Sequence, residues 1–295
     1  MIPAYYKRFR IFTHSVIWKI YISNSLTNSL YDLDALGRSS IFEKPGFTAM
    51  QCGTSGFKTS KCFFDFLLKR NSDCRIIVLD KSNYPLNEIK RNVHRKYSGI
   101  KFSFIQCDAL SIPIADASVD YIETDSFFQF FSLTALNQML SEWHRVLKPD
   151  GFITTRCFCR NNQFGKIFDF FRKQLGKYLN VQFIIHDYPS IIASLNLAGF
   201  NFKSNCYALP TLRRFTLIKQ STKESNRYAL VFNTDNYFLP SVISRIKALN
   251  FQNNFFIFET NLKKDKRYIV AHLKIFTTSF TFKLLFEGER GCKYF

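Results

Sequence analysis

Phe102–Phe158 reads FSFIQCDALSIPIADASVDYIETDSFFQFFSLTALNQMLSEWHRVLKPDGFITTRCF. It contains three short apolar runs, Phe102–Cys107, Val119–Thr124 and Gly151–Phe158, separated by polar punctuation. Between the second and third runs, Leu133, Leu136, Leu140, Trp143 and Leu147 recur at spacings of three and four. That period places them on one face of a helix. Lys148-Pro149-Asp150-Gly151 then stops the helix and turns the chain into the next strand. Strand, loop, strand, helix, strand is the order of an open, mostly parallel α/β sheet with helices on both faces.

The same residues carry a family likeness. Cys107-Asp108-Ala109-Leu110, Ile112-Pro113 and Asp116-Ala117-Ser118-Val119-Asp120 resemble the D-A-x-x-L-P-F-x-D-x-S-F-D run of class I S-adenosylmethionine-dependent methyltransferases. Glu142–Gly151 (EWHRVLKPDG) is similar to that family's E-x-x-R-V-L-K-P-G-G signature, in the family's order and at about its spacing. The resemblance implies a Rossmann-like methyltransferase fold with a mostly parallel seven-stranded sheet. It also implies S-adenosylmethionine as cofactor.

Outward from that stretch, Phe47–Gln51 reads as the first strand, and Cys52-Gly53-Thr54-Ser55-Gly56 leads into a helix from Phe57 to Lys69. A loop there that approaches a cofactor with its backbone needs residues without side chains in the way. The family pattern is acidic-x-G-x-G-x-G. Ala49 stands at the acidic position, Gln51 and Ser55 replace the first and third glycines, and Gly53 matches the second. The departures put cofactor affinity in question and leave the fold reading intact. Arg75–Asp80 is a strand apolar enough to be buried on both faces. A carboxylate closing such a strand can accept two ribose hydroxyls, the role the resemblance implies for Asp80. After the third strand, Lys101–Gln106, the resemblance implies that Asp108 accepts the adenine amino group while Ala109 offers its backbone N–H. Gln51, Cys52, Gly53, Thr54, Ser55, Asp80, Lys81, Asp108, Ala109 and Thr124 form the expected cofactor-binding set.

The fourth strand ends in Glu123, Thr124 and Asp125, where ligands of parallel sheets sit. Family members often carry a His a few residues on, where this chain has Phe130, so Asp125 and Glu123 are the catalytic candidates. His144, on the following helix, reads as structural. Arg160–Asn180 is polar and aromatic, and the resemblance implies an acceptor lid, which an insertion at this point often forms in such folds. Leu195–Phe200 (LNLAGF) resembles the L-x-x-A-G-F that precedes the sixth strand of such enzymes.

The domain boundaries follow. Residues 1–45 are a helical leader or cap, in which Ile11, Phe12, Val16, Ile17, Ile20 and Tyr21 are expected on one helical face over an open edge of the domain. A membrane-surface helix is the alternative. Tyr5, Tyr6 and His14 are candidate substrate-side residues. Residues 46–219 are the methyltransferase domain, 220–227 a polar linker and 228–295 a small α/β module. In that module Tyr228–Asn233 and Asn254–Glu259 read as strands, and Leu239–Leu249 and Lys264–Phe276 as helices. Residues 229–246 faintly resemble the opening of formyltransferase-like proteins without that family's catalytic residues, and the module is read as truncated.

A 295-residue chain with 46% hydrophobic residues can bury a large core, which excludes disorder. Its eight Cys form no CxxC pair, so no metal site is expected and free thiols point to a reducing cytoplasm. No apolar run approaches the length of a membrane span, and no cleavable signal peptide is evident. A formal charge of +19 favours a solvated basic surface or a polyanionic partner. The reading is methyl transfer to a small-molecule or sugar acceptor. An RNA acceptor is the alternative on charge, and a non-catalytic scaffold on a worn fold is the alternative on the glycine loop. Oligomeric state stays open.

Overall fold

The computed structural model describes residues 4–160, 165–207, 209–219, 268–275 and 278–285. The chain divides into two compact units, Met1–Ser225 and Asn226–Phe295.

The first unit is a sheet built from β1 (Thr48–Cys52), β2 (Arg75–Asp80), β3 (Lys101–Gln106), β4 (Val119–Asp125) and β5 (Leu147–Arg160). The two-residue β6 (His186–Asp187) pairs with the end of β5, and β7 (Phe200–Tyr207) and β8 (Leu209–Lys219) complete it. The order across the sheet is β3-β2-β1-β4-β5-β8-β7. β1 through β5 run parallel, and β8 is antiparallel to both β5 and β7. Seven strands in that path, with helices on both faces, is the architecture expected from the sequence. Alternation along the strands assigns the two faces. Ala49, Ile76 and Val78 point to α2 (Val16–Ala35), α3 (Phe57–Leu68) and α4 (Asn83–Lys96). Met50, Ile77 and Leu79 point to α5 (Leu133–Val146) and α7 (Tyr188–Leu197).

Leu136, Leu140, Trp143 and Leu147 are fully buried, as their spacing requires, whereas Leu133 in the first turn of α5 is exposed. Ser132 caps that helix by accepting from the Ala135 N–H at 3.3 Å, a contact worth about 1 kcal/mol. Lys148–Gly151, expected as a turn, is instead absorbed into β5. Register slips there between the Val119–Leu147 and Tyr121–Phe152 pairs, and Asp150 takes a left-handed conformation (φ +64°).

The two signatures meet. The Glu142 carboxylate accepts from the Ile112 N–H at 2.9 Å. Arg145 donates to the Ile112 and Ile114 carbonyls (2.8 and 2.9 Å) and to Asp116 at 2.6 Å. Helix α5 therefore clamps the loop between β3 and β4, and that clamp is a physical reason for E-x-x-R to accompany D-A-x-x-L-P.

The leader differs from its expected form. Ser15 accepts from the Trp18 N–H at 3.1 Å and donates to the Phe12 carbonyl at 2.7 Å. It thereby ends α1 (Ala4–Thr13) and caps α2. The break splits the expected apolar stripe: Tyr21 turns inward while Ile11, Phe12, Val16, Ile17 and Ile20 face solvent. Buried Asp32 anchors α2 to the sheet. It accepts from Arg214 at 3.0 Å, Thr216 at 3.1 Å and Asn205 at 3.0 Å.

In the second unit, β9 (Tyr268–Ile275) and β10 (Thr278–Leu285) form an antiparallel hairpin, with Tyr268 opposite Leu285 and Ile275 opposite Thr278. The helix expected over Lys264–Phe276 is therefore a strand where it is described. Its run of Tyr, Ile and Val suits a strand, and cross-strand pairing outweighs the basic residues that suggested a helix. The other elements expected in 228–259, and the formyltransferase likeness, lie outside the described residues.

Candidate active site

β1, β2, β3 and β4 deliver their following loops to a cavity of about 550 Å³. Gly53 occupies a left-handed conformation (φ +73°), and a Cβ there would lie 2.6 Å from the Phe127 ring. Glycine is required at this point for both reasons. Gln51 and Ser55 carry no positive φ, so side chains are tolerated where the family pattern has glycine. Ser55 uses its hydroxyl to bond Thr59 at 2.9 Å, and Thr54 bonds Ser60 at 2.8 Å, knitting the loop to the first turn of α3. Gln51 lines the cavity with a buried Oε1 that has no protein partner.

Asp80 lies at the end of β2, buried. Its Oδ2 accepts from the Thr54 N–H at 2.8 Å, and its Oδ1 from the Ser82 N–H at 2.7 Å and the Tyr6 hydroxyl at 2.9 Å. Burial pushes its carboxyl above the usual range, and the three donors oppose that rise. Asp108, near the end of β3, accepts from Lys81 at 2.8 Å and from the Leu110 N–H at 3.1 Å. The Lys81 ammonium and that backbone donor hold it below the usual carboxylate range. Ala109 is buried beside it.

Of the expected cofactor residues, the cavity is lined by Gln51, Gly53, Thr54, Ser55, Asp80, Lys81, Asp108 and Ala109. Cys52 and Thr124 are fully buried and do not line it. The two catalytic candidates part company. Asp125 lines the cavity, its Oδ1 accepting from Arg156 Nε at 2.7 Å and the Tyr21 hydroxyl at 3.0 Å. Glu123 does not line it; it is buried in the sheet and accepts from Arg156 Nη2. Two residues apart, they share a face of β4, and depth makes the difference: Glu123 lies within the sheet, whereas Asp125 is the last residue of the strand. Arg156 itself is fully buried and also donates to Ser25 at 3.0 Å, tying α2 to β4 and β5.

The remaining wall is aromatic. Tyr5, Phe9 and Trp18 come from the leader, Phe127, Phe130 and Phe131 follow β4, and Phe183 follows α6 (Gly165–Leu179). Tyr5 meets Phe130 edge-on at 5.9 Å, and Phe130 meets Phe183 at 5.6 Å. Tyr5 and Tyr6, the leader tyrosines singled out from the sequence, both line the cavity. His14 does not line this cavity and sits in a separate groove with Glu88 and Arg91. His144 packs its ring against Phe200 at 5.4 Å, outside the cavity. Phe9, Trp18, Phe127, Phe131, Val181 and Phe183 were not singled out from the sequence. The spacing of Tyr5, Phe9 and Phe12 in α1 was the available signal for the first. Burial pushes the Tyr5 phenol up and the Cys107 thiol up to about 11, so both stay protonated near neutrality.

A family model described as a methyltransferase domain matches residues 52–155. No curated protein matches the sequence. Solved structures share the fold. One is an O-methyltransferase family protein from Burkholderia thailandensis, with 13% identity and a TM-score of 0.50, covering 67% of this chain and 57% of that one. Another is the cyclopropane synthase MmaA2 from Mycobacterium tuberculosis, with 11% identity and a TM-score of 0.50, covering 60% of this chain and 79% of that one. The matched segment spans the glycine loop, the carboxylate-bearing ends of β2, β3 and β4 and the α5 clamp, and residues 52–155 are similar throughout to a methyltransferase domain.

Proposed function

We propose that the protein methylates a small-molecule acceptor held among the rings of this cavity. The observation that carries the reading is one cavity with two chemistries: strand-end carboxylates and a glycine turn on one part of its wall, and eight aromatic side chains among the described residues around the rest. In this reading Asp80 accepts the ribose hydroxyls and Asp108, with the Ala109 N–H, receives the adenine. The backbone of Gly53 to Ser55 runs beside the rest of the cofactor. The buried Gln51 Oε1 and Trp18 Nε1, which lack protein partners, fit a ligand that brings both donors and acceptors. Bound there, S-adenosylmethionine supplies a methyl group already activated on a sulfonium.

The chain's own contribution is then chiefly position. Rings from three segments of the chain hold the acceptor and exclude water, which supplies most of the acceleration in a displacement of this kind. Asp125, held by Arg156 and Tyr21, is the carboxylate able to take a proton from an acceptor that must lose one. Tyr5, kept protonated by burial, retains a hydroxyl proton to offer to an acceptor in the cavity. A polyanionic acceptor fits less well. Among the described residues the cavity wall carries Asp80, Asp108 and Asp125 against the single cation Lys81, so the basic charge of those residues is not focused at the site.

The test is release of S-adenosylhomocysteine across a panel of ring-bearing small molecules, simple sugars and RNA. Turnover with a small acceptor, and a raised KM in Phe130→Ala, is expected. Turnover with RNA alone would sink the reading.

A further inference from the structure

Among the described residues, nine of the twelve large apolar side chains that remain exposed lie on two neighbouring parts of the fold. Five belong to the elbow between α1 and α2: Ile11, Phe12, Val16, Ile17 and Ile20, with Ile17 80% exposed. The other four, Phe170, Phe171, Leu175 and Tyr178, are on α6. α1 rests on α6, where Arg8 donates to the Tyr178 carbonyl and its guanidinium lies 5.6 Å from the Tyr178 ring centre. This concentration is not a by-product of folding, because the inward residues of the same helices, Tyr5, Phe9 and Trp18, already serve the cavity. Charge says what covers it. Residues 1–31 contain Lys7, Arg8, Arg10 and Lys19 and no Asp or Glu. The exposed flank of α6 adds Lys173 and Lys177, while Asp169 on that helix is buried in ion pairs with Arg160 and Arg172. Exposed apolar side chains flanked by basic ones, with no acid between, match the boundary of an anionic bilayer.

We propose that the α1–α2 elbow, with the exposed face of α6, docks this protein on anionic lipid membranes. Ile17 and Ile20, one turn apart on α2, enter the acyl boundary, and Lys7, Arg10 and Lys19 meet the headgroups. No segment crosses the bilayer in this arrangement, and no described helix is long and apolar enough to do so. The inference stands independently of which acceptor is methylated.

The experiment is co-sedimentation of the full chain with phosphatidylcholine vesicles made with and without phosphatidylserine. Binding is expected to the anionic vesicles, to weaken with added salt, and to be slight on phosphatidylcholine alone. Ile17→Glu and Ile20→Glu each weaken it by at least about tenfold, and Lys19→Gln by about fivefold. All three positions are exposed, so the thermal midpoint of each variant stays that of the parent and separates loss of docking from loss of folding. Absence of sedimentation with phosphatidylserine vesicles at low salt overturns the proposal. So does binding that the two glutamate substitutions leave unchanged, which would be unspecific attraction by the chain's net charge. So does a dimer, seen by light scattering, that Ile17→Glu dissolves, because a second copy would then cover the face.

Discussion

Replacing Gly53 by Ala tests the loop on which the site is built. The residue sits at φ +73°, and its new Cβ would lie 2.6, 2.8 and 3.2 Å from three carbons of the Phe127 ring. A left-handed alanine costs about 1–2 kcal/mol. Forcing a packed ring aside costs a further 1–3 kcal/mol or so, because Phe127 is held by Phe131 at 4.9 Å and stacks over Trp143 at 6.4 Å. The sum is a loss of about 2–5 kcal/mol in a urea titration, accompanied by loss of cofactor affinity. The two parts can be separated. Phe127→Leu in the Gly53→Ala background relieves the ring clash but leaves the backbone conformation strained. A double-mutant cycle should therefore show a favourable coupling of about 1–3 kcal/mol. A loss below about 0.5 kcal/mol from Gly53→Ala, or strict additivity with Phe127→Leu, would refute the argument that the ring and the left-handed turn together demand glycine.

Three further outcomes follow from the same geometry. Arg156→Met leaves Glu123 and Asp125 buried without their cation and should destabilise the fold by about 3–5 kcal/mol in chemical denaturation. Arg156→Met with Glu123→Gln should recover part of that loss, and no recovery would contradict the pairing. Tyr6→Phe opens a lone pair on Asp80 Oδ1 that the phenol now occupies and should tighten cofactor binding by up to about tenfold in calorimetry; weaker binding would assign Tyr6 to the bound state. Asp80 and Asp108 respond oppositely to acid. Asp80, raised by burial, protonates first as pH falls, so cofactor affinity drops through its raised value while the free fold gains stability over the same window. Asp108, lowered by Lys81, contributes stability above its ordinary value and gives it up only as pH falls through its lowered one. An acid limb in affinity that Asp80→Asn does not flatten would contradict the first assignment.

Much of the sheet was legible because its strands obey simple rules. Arg75–Asp80 and Lys101–Gln106 are bounded in the structure where the apolar runs begin and end. The carboxylates at strand ends were legible for the same reason, since a residue that follows a parallel strand is placed by the strand. What the sequence hid depended on tertiary contact. The left-handed turn at Asp150 and the bulge around it make Lys148–Gly151 part of β5 instead of a turn. The capping of Trp18 by Ser15 breaks a stripe that periodicity reads as continuous. Glu123 and Asp125 look equivalent in the sequence, and only Arg156, thirty-odd residues away, shows that one is locked in the core and the other faces the cavity. The aromatic wall was hidden because its rings come from three distant segments, and no local pattern joins Phe9 to Phe183.

The central claim is that Asp80, the turn at Gly53 and Asp108 hold the cofactor. Calorimetric titration of the parent chain with S-adenosylmethionine and S-adenosylhomocysteine, beside Asp80→Ala and Asp108→Ala, tests it most directly. Saturable binding by the parent, abolished in Asp80→Ala and weakened in Asp108→Ala with both variants folded, is the predicted result. No binding by the parent, or binding indifferent to Asp80, would contradict the account.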